Sequence, residues 1–331
     1  LSGAVLESYT SDSVTLWAHQ PQLRFSLARA PATVPVPQAP TAERVHVTVR
    51  NFPGGEDQAV ARSPMQPGEW SPITRGTPDR IELQVTPDGE PHELMLRSDR
   101  NAYRIVVFGG GRINDIWSVR ARPRLRRKIR ELQPTFVVHL GDLVNLGLEG
   151  EYAQAFAWLR SLGVPCYGVA GPEDLGAHNW GQARFNELFG RAPQQFPCGD
   201  WTLTLVNSRI GLYGKKQLDW LEQSLPANGV HRGIVFMHHP PFNPKRPDAE
   251  LPDGSQGHRM MQILRNARPQ LAIAGHGAFF LKETVDGVPW VITRGGAEKI
   301  RSYGVKPPFR EHHLILLNLT EETVKYEEVR Y

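Results

Sequence analysis

The alternation of apolar and polar positions changes character once along the chain, near residue 102. Before that point, SVTLWAH (Ser13–His19), LRFSLAR (Leu23–Arg29), RVHVTVR (Arg44–Arg50), RIELQVT (Arg80–Thr86) and HELMLRS (His92–Ser98) each alternate with a period of two. Pro, Gly and Asp clusters such as APATVPVPQAP and TPDGEP separate them. Half-buried strands punctuated by turn residues predict a small all-β sandwich, of immunoglobulin or fibronectin III type, over residues 1–102. The Pro-rich stretch Pro31–Pro40 reads as a loop inside that domain.

From Tyr103 onward the apolar runs lose their alternation. RIVVF, TFVVHL, PCYGVA, LTLVNS, GIVFMHH and QLAIAG are almost continuously apolar, as strands buried on both faces must be. Helical patterns lie between them at Ser118–Leu132, Glu151–Leu162, Asn179–Phe189 and Lys216–Leu225. The expected fold class is therefore a layered α/β domain, residues 103–331, preceded by the β-sandwich.

Polar residues collect where these strands stop. HLGDLVN places Asp142 at one strand end, VAGPEDL places Glu173 and Asp174 at another, FMHHPPF gives His238 and His239, and IAGHGAFF gives His276. The carboxyl ends of strands are where open α/β sheets bind ligands, and carboxylates with imidazoles are divalent-metal donors. The first strand runs instead into Gly109-Gly110-Gly111-Arg112. That run either lets the backbone pack closely or cradles an anion through Gly111 and Arg112. It lacks the spacing of a nucleotide-binding loop.

Composition adds limits. Forty per cent hydrophobic and 22% charged residues describe an ordinary globular chain. The net charge is +4, too small over 331 residues to argue for nucleic acid. RARPRLRRKIR (Arg120–Arg130) packs seven basic residues into eleven, but Val119, Leu125, Ile129 and Leu132 supply an apolar stripe, so the arginines read as a solvated helix face. No apolar run reaches the ~18 residues of a membrane span. Cys166 and Cys198 fit one disulfide or two buried thiols, the thiols being favoured. Asp115 reads as a helix-start acid rather than a ligand, and His139, His239, His312 and His313 as structural residues.

From about Tyr103 to its end the chain resembles the calcineurin-like metallophosphoesterases. YGKKQLDWLEQSL resembles the family's helix after its central strand, and VDGVPWVITRGGA its penultimate hairpin. The sandwich ahead of it, with SDSVTLWAHQP near its start, is similar to the layout of purple acid phosphatases and alkaline-phosphatase-D-type enzymes. The resemblance implies an αββα-type domain with five motifs, D-x-H, G-D, G-N-H-[DE], a strand His and G-H-x-H. These supply seven ligands to two metals and one catalytic His. Two such metals clamp phosphoryl oxygens and generate hydroxide at neutral pH.

In this sequence the D-x-H positions hold Gly110 and Arg112, and the G-D aspartate is Asp142. Pro172 stands at the metal-binding Asn and Glu173 at the catalytic His, with Asp174 in the acidic slot. The strand His is His238; G-H-x-H retains His276 and places Ala278 at its second His. The resemblance thus implies that the first metal keeps only Asp142, while Asp142, His238 and His276 remain for a single site.

Arg112 is expected to pair with Asp142 or Glu173 and to replace the missing metal electrostatically, since an unpaired buried carboxylate costs roughly 3–5 kcal/mol. The favoured expectation is a protein without phosphoesterase activity that binds a protein partner or an anionic ligand, with no cofactor. The alternative is a phosphoesterase with one divalent metal (Zn, Mn or Fe) at Asp142, His238 and His276. It needs a fourth ligand, for which Glu173 and Asp174 are the neighbours. Glu173 as a general acid is the less favoured role beside an ion pair. An extracytoplasmic location (secreted, periplasmic or envelope-associated) is expected from the architecture and from a first residue other than Met.

Overall fold

The computed structural model describes the chain except residues 11–12, 28–43, 55–58, 63–70, 73–75, 86–91, 209–212, 226–231, 245–253, 278–279, 294 and 297–311. The Pro31–Pro40 loop and Ala278 lie outside the described residues. The chain divides into two compact units, Leu1–Asn101 with Gly163–Pro165, and Ala102–Leu162 with Cys166–Tyr331.

The first unit holds β1 (Ala4–Tyr9), β2 (Ser13–Ala18), β3 (Gln22–Leu27), β4 (Val45–Arg50), β5 (Ala59–Arg62), β6 (Ser71–Pro72), β7 (Gly76–Thr77), β8 (Arg80–Val85) and β9 (His92–Ser98). One sheet runs β1-β2-β4-β8-β7 and the other β3-β9-β5-β6. Alternation sets their packing: Val45, Val47 and Val49 of β4 point inward with Leu16 and Ile81, and meet Leu23, Phe25 and Leu96 of the second sheet. All five strands expected here are present. β1 escaped notice because its outer residues, from Leu6 to Tyr9, break the period.

The second unit begins with β10 (Tyr103–Phe108), α1 (Ile116–Leu132), β11 (Phe136–His139), α2 (Glu149–Leu162), β12 (Cys166–Gly168), α3 (Pro172–Leu175) and α4 (Gln182–Phe189). It continues with β13 (Gln194–Cys198), β14 (Trp201–Leu205), α5 (Lys215–Ser224), β15 (Gly233–Met237), α6 (Gln256–Ala267) and β16 (Leu271–Ala274). The closing strands are β17 (Leu281–Val285), β18 (Val288–Ile292), β19 (His313–Leu319) and β20 (Val324–Arg330). They make two sheets, β12-β11-β10-β19-β20 and β13-β14-β15-β16-β18-β17.

β10, β11 and β12 pair in parallel, as do β14, β15, β16 and β18. One core lies between the two sheets, joining Ile105, Val107, Phe136 and Val138 to Leu203, Phe236, Ile273 and Val291. The opposite face of the six-stranded sheet, with Val235, Met237 and Trp290, packs on Leu218 and Leu221 of α5 and Met260 and Leu264 of α6. Strands covered on both faces explain the unbroken apolar runs. This is the layered α/β arrangement expected from the sequence.

Two local readings change, those of Val119 and of the helix at Asn179, and two hold, those of Asp115 and of the cysteines. Val119 is exposed, and the buried stripe of α1 is Ser118, Ala121, Leu125 and Ile129. Asp115 caps α1, accepting from the Ser118 backbone N–H at 2.9 Å and its hydroxyl at 3.0 Å. The helix expected from Asn179 starts only at Gln182, because His178 and Asn179 adopt positive φ (55° and 62°) in a short 3-10 turn. Cys166 and Cys198 are buried free thiols, and burial pushes both pKa values up.

Candidate functional site

The carboxyl ends of the parallel strands in both sheets converge. Leu140, just beyond β11, has its carbonyl 2.7 Å from His238 Nδ1, just beyond β15. The loops meet so closely that a Cβ on Gly275 would lie 2.8 Å from that same carbonyl. A Cβ on Gly171 would fall inside the radius of Asp142 Oδ1, so glycine is the residue that lets the third loop reach the site.

Asp142 is buried, with φ of 60°. Its loop is held by Asp174, whose carboxylate accepts the backbone N–H groups of Asp142 (2.7 Å), Leu143 (2.7 Å), Val144 (3.1 Å) and Gly171 (2.8 Å). Burial and then Asp142 push the Asp174 carboxyl up to about 7, against the pull of those N–H groups. With both oxygens so engaged, Asp174 is a clamp on the backbone and not the fourth metal ligand that the sequence offered.

Arg112 lies where its position in the sequence suggested. Its Nη2 is 3.1 Å from Glu173 Oε1 and 3.6 Å from Asp142 Oδ2, and its Nη1 donates to Asn145 Oδ1 at 3.3 Å. One guanidinium thus serves both carboxylates, and Asn145 joins it unannounced by any sequence signal. Glu173 is occupied by this ion pair, and its backbone N–H is 3.4 Å from Asp142 Oδ1. Pro172 opens α3 with a ring in place of an amide.

The glycine run serves close packing. Gly110 and Gly111 have φ of 70° and 86°. The Gly110 N–H donates to the Gly141 carbonyl at 2.9 Å, and the Gly110 carbonyl faces His139 Nε2 at 2.9 Å. A loop whose N–H and C=O are spent on the protein in this way is not an open anion cradle at Gly110.

His139 is structural, as expected. Burial pulls its pKa down to about 4, with the Gly110 carbonyl opposing. The folded state therefore keeps it neutral while the unfolded chain protonates below its ordinary value near 6.5. The contribution of His139 to stability is expected to fall as pH drops from 6.5 towards 4, while Asp174, with its raised pKa, contributes in the opposite direction; His139→Gln is expected to make the pH slope in urea melts less positive across this range. An unchanged slope would mean that His139 is already charged in the folded protein.

His239 departs from expectation. It is 3.8 Å, centroid to centroid, from His276 and 4.6 Å from His238. The three imidazoles offer nitrogens within 4.8 Å of one another. The Ser208 hydroxyl accepts the backbone N–H of His238 (2.9 Å) and of His239 (2.8 Å), fixing the pair where the strand ends. Burial, then His238 and His276, pull the His239 pKa down to about 3, so its ring is neutral at pH 7. The adjacent histidines of HHPPF were the signal: beyond a strand's last pleat, neighbours no longer face opposite sides.

His238 Nε2 lies 3.7 Å from Asp142 Oδ2, and the His238 and His276 rings are 5.3 Å apart. The residues of the first metal position, Gly110 and Arg112, provide no donor and one permanent cation, so they do not fit a dication. The imidazoles of His238, His239 and His276 do offer a donor set for a single one, with Asp142 3.7 Å from His238. Among the described residues no helix is long and apolar enough to cross a membrane.

A probable cyclic nucleotide phosphodiesterase of Moraxella catarrhalis (strain BBH18) is 30% identical over 128 residues, which are 34% of this chain and 46% of that protein. The chain thus spans about half the length of that curated relative. Among solved structures, a dimetal phosphatase from Danio rerio matches with a TM-score of 0.53 at 16% identity, covering 69% of this chain and 96% of that one. Purple acid phosphatase PPD1 from yellow lupin seeds matches with a TM-score of 0.55 at 12% identity, covering 87% and 70%. GAP50, the anchor in the inner membrane complex of Plasmodium, matches at 0.51 and 13%, covering 70% and 85%. At such identities the likeness is one of fold. The sequence model of the calcineurin-like phosphoesterases matches residues 109–278, from the glycine run to the end of the G-H-x-H segment and just over half of the 331 residues; on that match and the two-sheet fold around Asp142 and His238, the chain belongs to the calcineurin-like phosphoesterase family.

Proposed function

We propose that this chain has given up two-metal phosphoester hydrolysis and works by binding, taking a protein partner or an anionic ligand at the mouth of the old site. The observation that carries this reading is Arg112, whose guanidinium serves Asp142 and Glu173 together. Hydrolysis by a metal pair needs a dication there to activate water and hold the phosphoryl oxygens. A guanidinium neutralises charge but supplies no metal-bound water.

The surface around Arg112 supports the binding role. Ile116, Trp117 and Val119 of α1, Leu146 and Leu148, and Trp180 are exposed large apolar residues. Glu151 ties two of these segments together, accepting from Asn114 Nδ2 and from the backbone N–H groups of Leu146 and Leu148. Gly147 in turn packs against Gly176 and Gly181, next to Trp180. Exposed tryptophans and leucines on the start of α1 and on neighbouring loops, with arginines along α1, have the composition of a protein-binding patch. An extracytoplasmic location is part of the same proposal.

The second reading is a phosphoesterase with one metal, favoured by the 3.7 Å approach of His238 Nε2 to Asp142 and by His276 beside it. The deciding experiment loads the chain with excess zinc, manganese or iron, removes unbound metal, and assays p-nitrophenyl phosphate and bis-p-nitrophenyl phosphate. Turnover indistinguishable from a metal-only blank is the expected result. Turnover abolished by Asp142→Asn would overturn the proposal. Turnover at one metal per chain, lost with His238→Ala, would establish the second reading.

A further inference from the structure

The paired histidines of HHPPF point to a change in the kind of metal this cleft accepts. We infer that His238, His239 and His276 form a three-imidazole site for one borderline divalent cation (Zn2+, Co2+, Ni2+ or Cu2+), with His239 as third donor in place of Asp142. The inference rests on the single-metal reading above and names the ligands and the metal class for it.

Three features converge. First, the nitrogens of the three rings lie within 4.8 Å of one another. A tetrahedral ion bound at ~2.0–2.1 Å asks for nitrogens ~3.3 Å apart, so the site closes with at most about 1.5 Å of adjustment. His276 can supply it, being exposed at the cleft mouth while His238 is fully buried.

Second, two of the rings are already oriented. His238 Nδ1 faces the Leu140 carbonyl at 2.7 Å and His239 Nδ1 faces the Ser208 carbonyl at 3.1 Å. A carbonyl oxygen can only accept, so each Nδ1 carries the proton and each Nε2 presents its lone pair. An N–H donated to a backbone carbonyl is the support that metal-bound imidazoles characteristically have.

Third, the nearby carboxylates are engaged elsewhere. Asp142 Oδ2 is 3.6 Å from the Arg112 guanidinium, Glu173 pairs with Arg112, and Asp174 holds four backbone N–H groups. What remains is a nitrogen-rich donor set. Imidazole suits zinc, cobalt, nickel and copper, whereas Mg2+ and Mn2+ favour oxygen. Three protein ligands also leave a fourth position open to water or to a donor from a bound partner.

The test is a Co2+ titration of the full chain after treatment with a chelator, read by the visible absorption of the bound ion and competed with Zn2+, Mg2+ and Mn2+. One Co2+ per chain is expected, displaced by Zn2+ but not by excess Mg2+ or Mn2+. His239→Ala is expected to weaken binding at least about tenfold, as removal of a supporting group already does. Histidine side-chain 1H–15N spectra of the unaltered chain give a second readout independent of any variant's folding: Zn2+ should shift three imidazole nitrogens. Full-strength binding by a folded His239→Ala, or only two shifted imidazoles, overturns the three-imidazole site while leaving the single-metal reading intact. No bound Co2+ or Zn2+ at all overturns both.

Discussion

Asp174→Asn is expected to lower the unfolding free energy of the second unit by about 4 kcal/mol, the largest effect of any single change in the site. Asp174 is fully buried, and each of its oxygens accepts two backbone N–H groups. Asparagine keeps one acceptor oxygen and turns an amide donor towards the other two N–H groups. Each buried donor left without an acceptor costs about 1–3 kcal/mol, and the charge-assisted character of the remaining bonds is lost as well. At about 2–4 °C per kcal/mol for a unit of this size, the melting temperature should drop by roughly 8–16 °C. Calorimetry and urea unfolding measure it. The measurement belongs at about pH 9, above the Asp174 pKa of about 7, where the carboxylate is charged; a loss under about 1 kcal/mol there would mean that it stays protonated, asparagine then being a near-isostere.

Asp174 also shows where reading the sequence stopped. Its place in the acidic slot of G-N-H-[DE] marked it as a residue of the site, but not as a backbone clamp. A carboxylate that binds metal and one that binds N–H groups look alike in sequence; only the path of the chain, here Gly171 brought against Asp142, separates them. Arg112 was legible for the opposite reason. A guanidinium set among buried carboxylates has few other electrostatic options, so its partners followed from charge alone.

The fold was legible wherever burial imposed a period. The β4 valines and the unbroken run of β15 are direct consequences of one covered face and two. What escaped has more than one cause. β13 carries a weak apolar pattern, whereas α6, opened by the Ser255 hydroxyl accepting from the His258 N–H at 3.1 Å, buries Met260, Met261, Ile263, Leu264 and Ala267 at helical spacing and was legible in principle. β20 is an edge strand whose alternation mixes Val, Lys, Tyr and Glu. His239 is a different case, since its structural contacts to Ser208 accompany a place beside His238 and His276. Composition gave no reason to prefer one histidine of HHPPF over its neighbour, and the Ser208 hydroxyl that fixes both is thirty residues away in sequence.

Arg112→Ala is the change that tests the electrostatic replacement itself. Asp142 is almost wholly buried, whereas the Glu173 side chain is 37% exposed, so water screens the Glu173 pair and the cost falls on Asp142. Removing one partner of a buried pair costs about 3–5 kcal/mol; Arg112 is itself 26% exposed, which places the expected loss near the bottom of that range, at about 3 kcal/mol. Zinc should then act differently on the two proteins. A dication held by the histidines next to Asp142 restores the missing positive charge, so zinc should raise the melting temperature of Arg112→Ala by more than it raises that of the unaltered chain. Arg112→Lys should recover only part of the loss, because an ammonium cannot span Asp142, Glu173 and Asn145 as the planar guanidinium does. If Arg112→Ala is as stable as the parent and zinc affects both equally, the guanidinium is a bystander and the proposed electrostatic replacement fails.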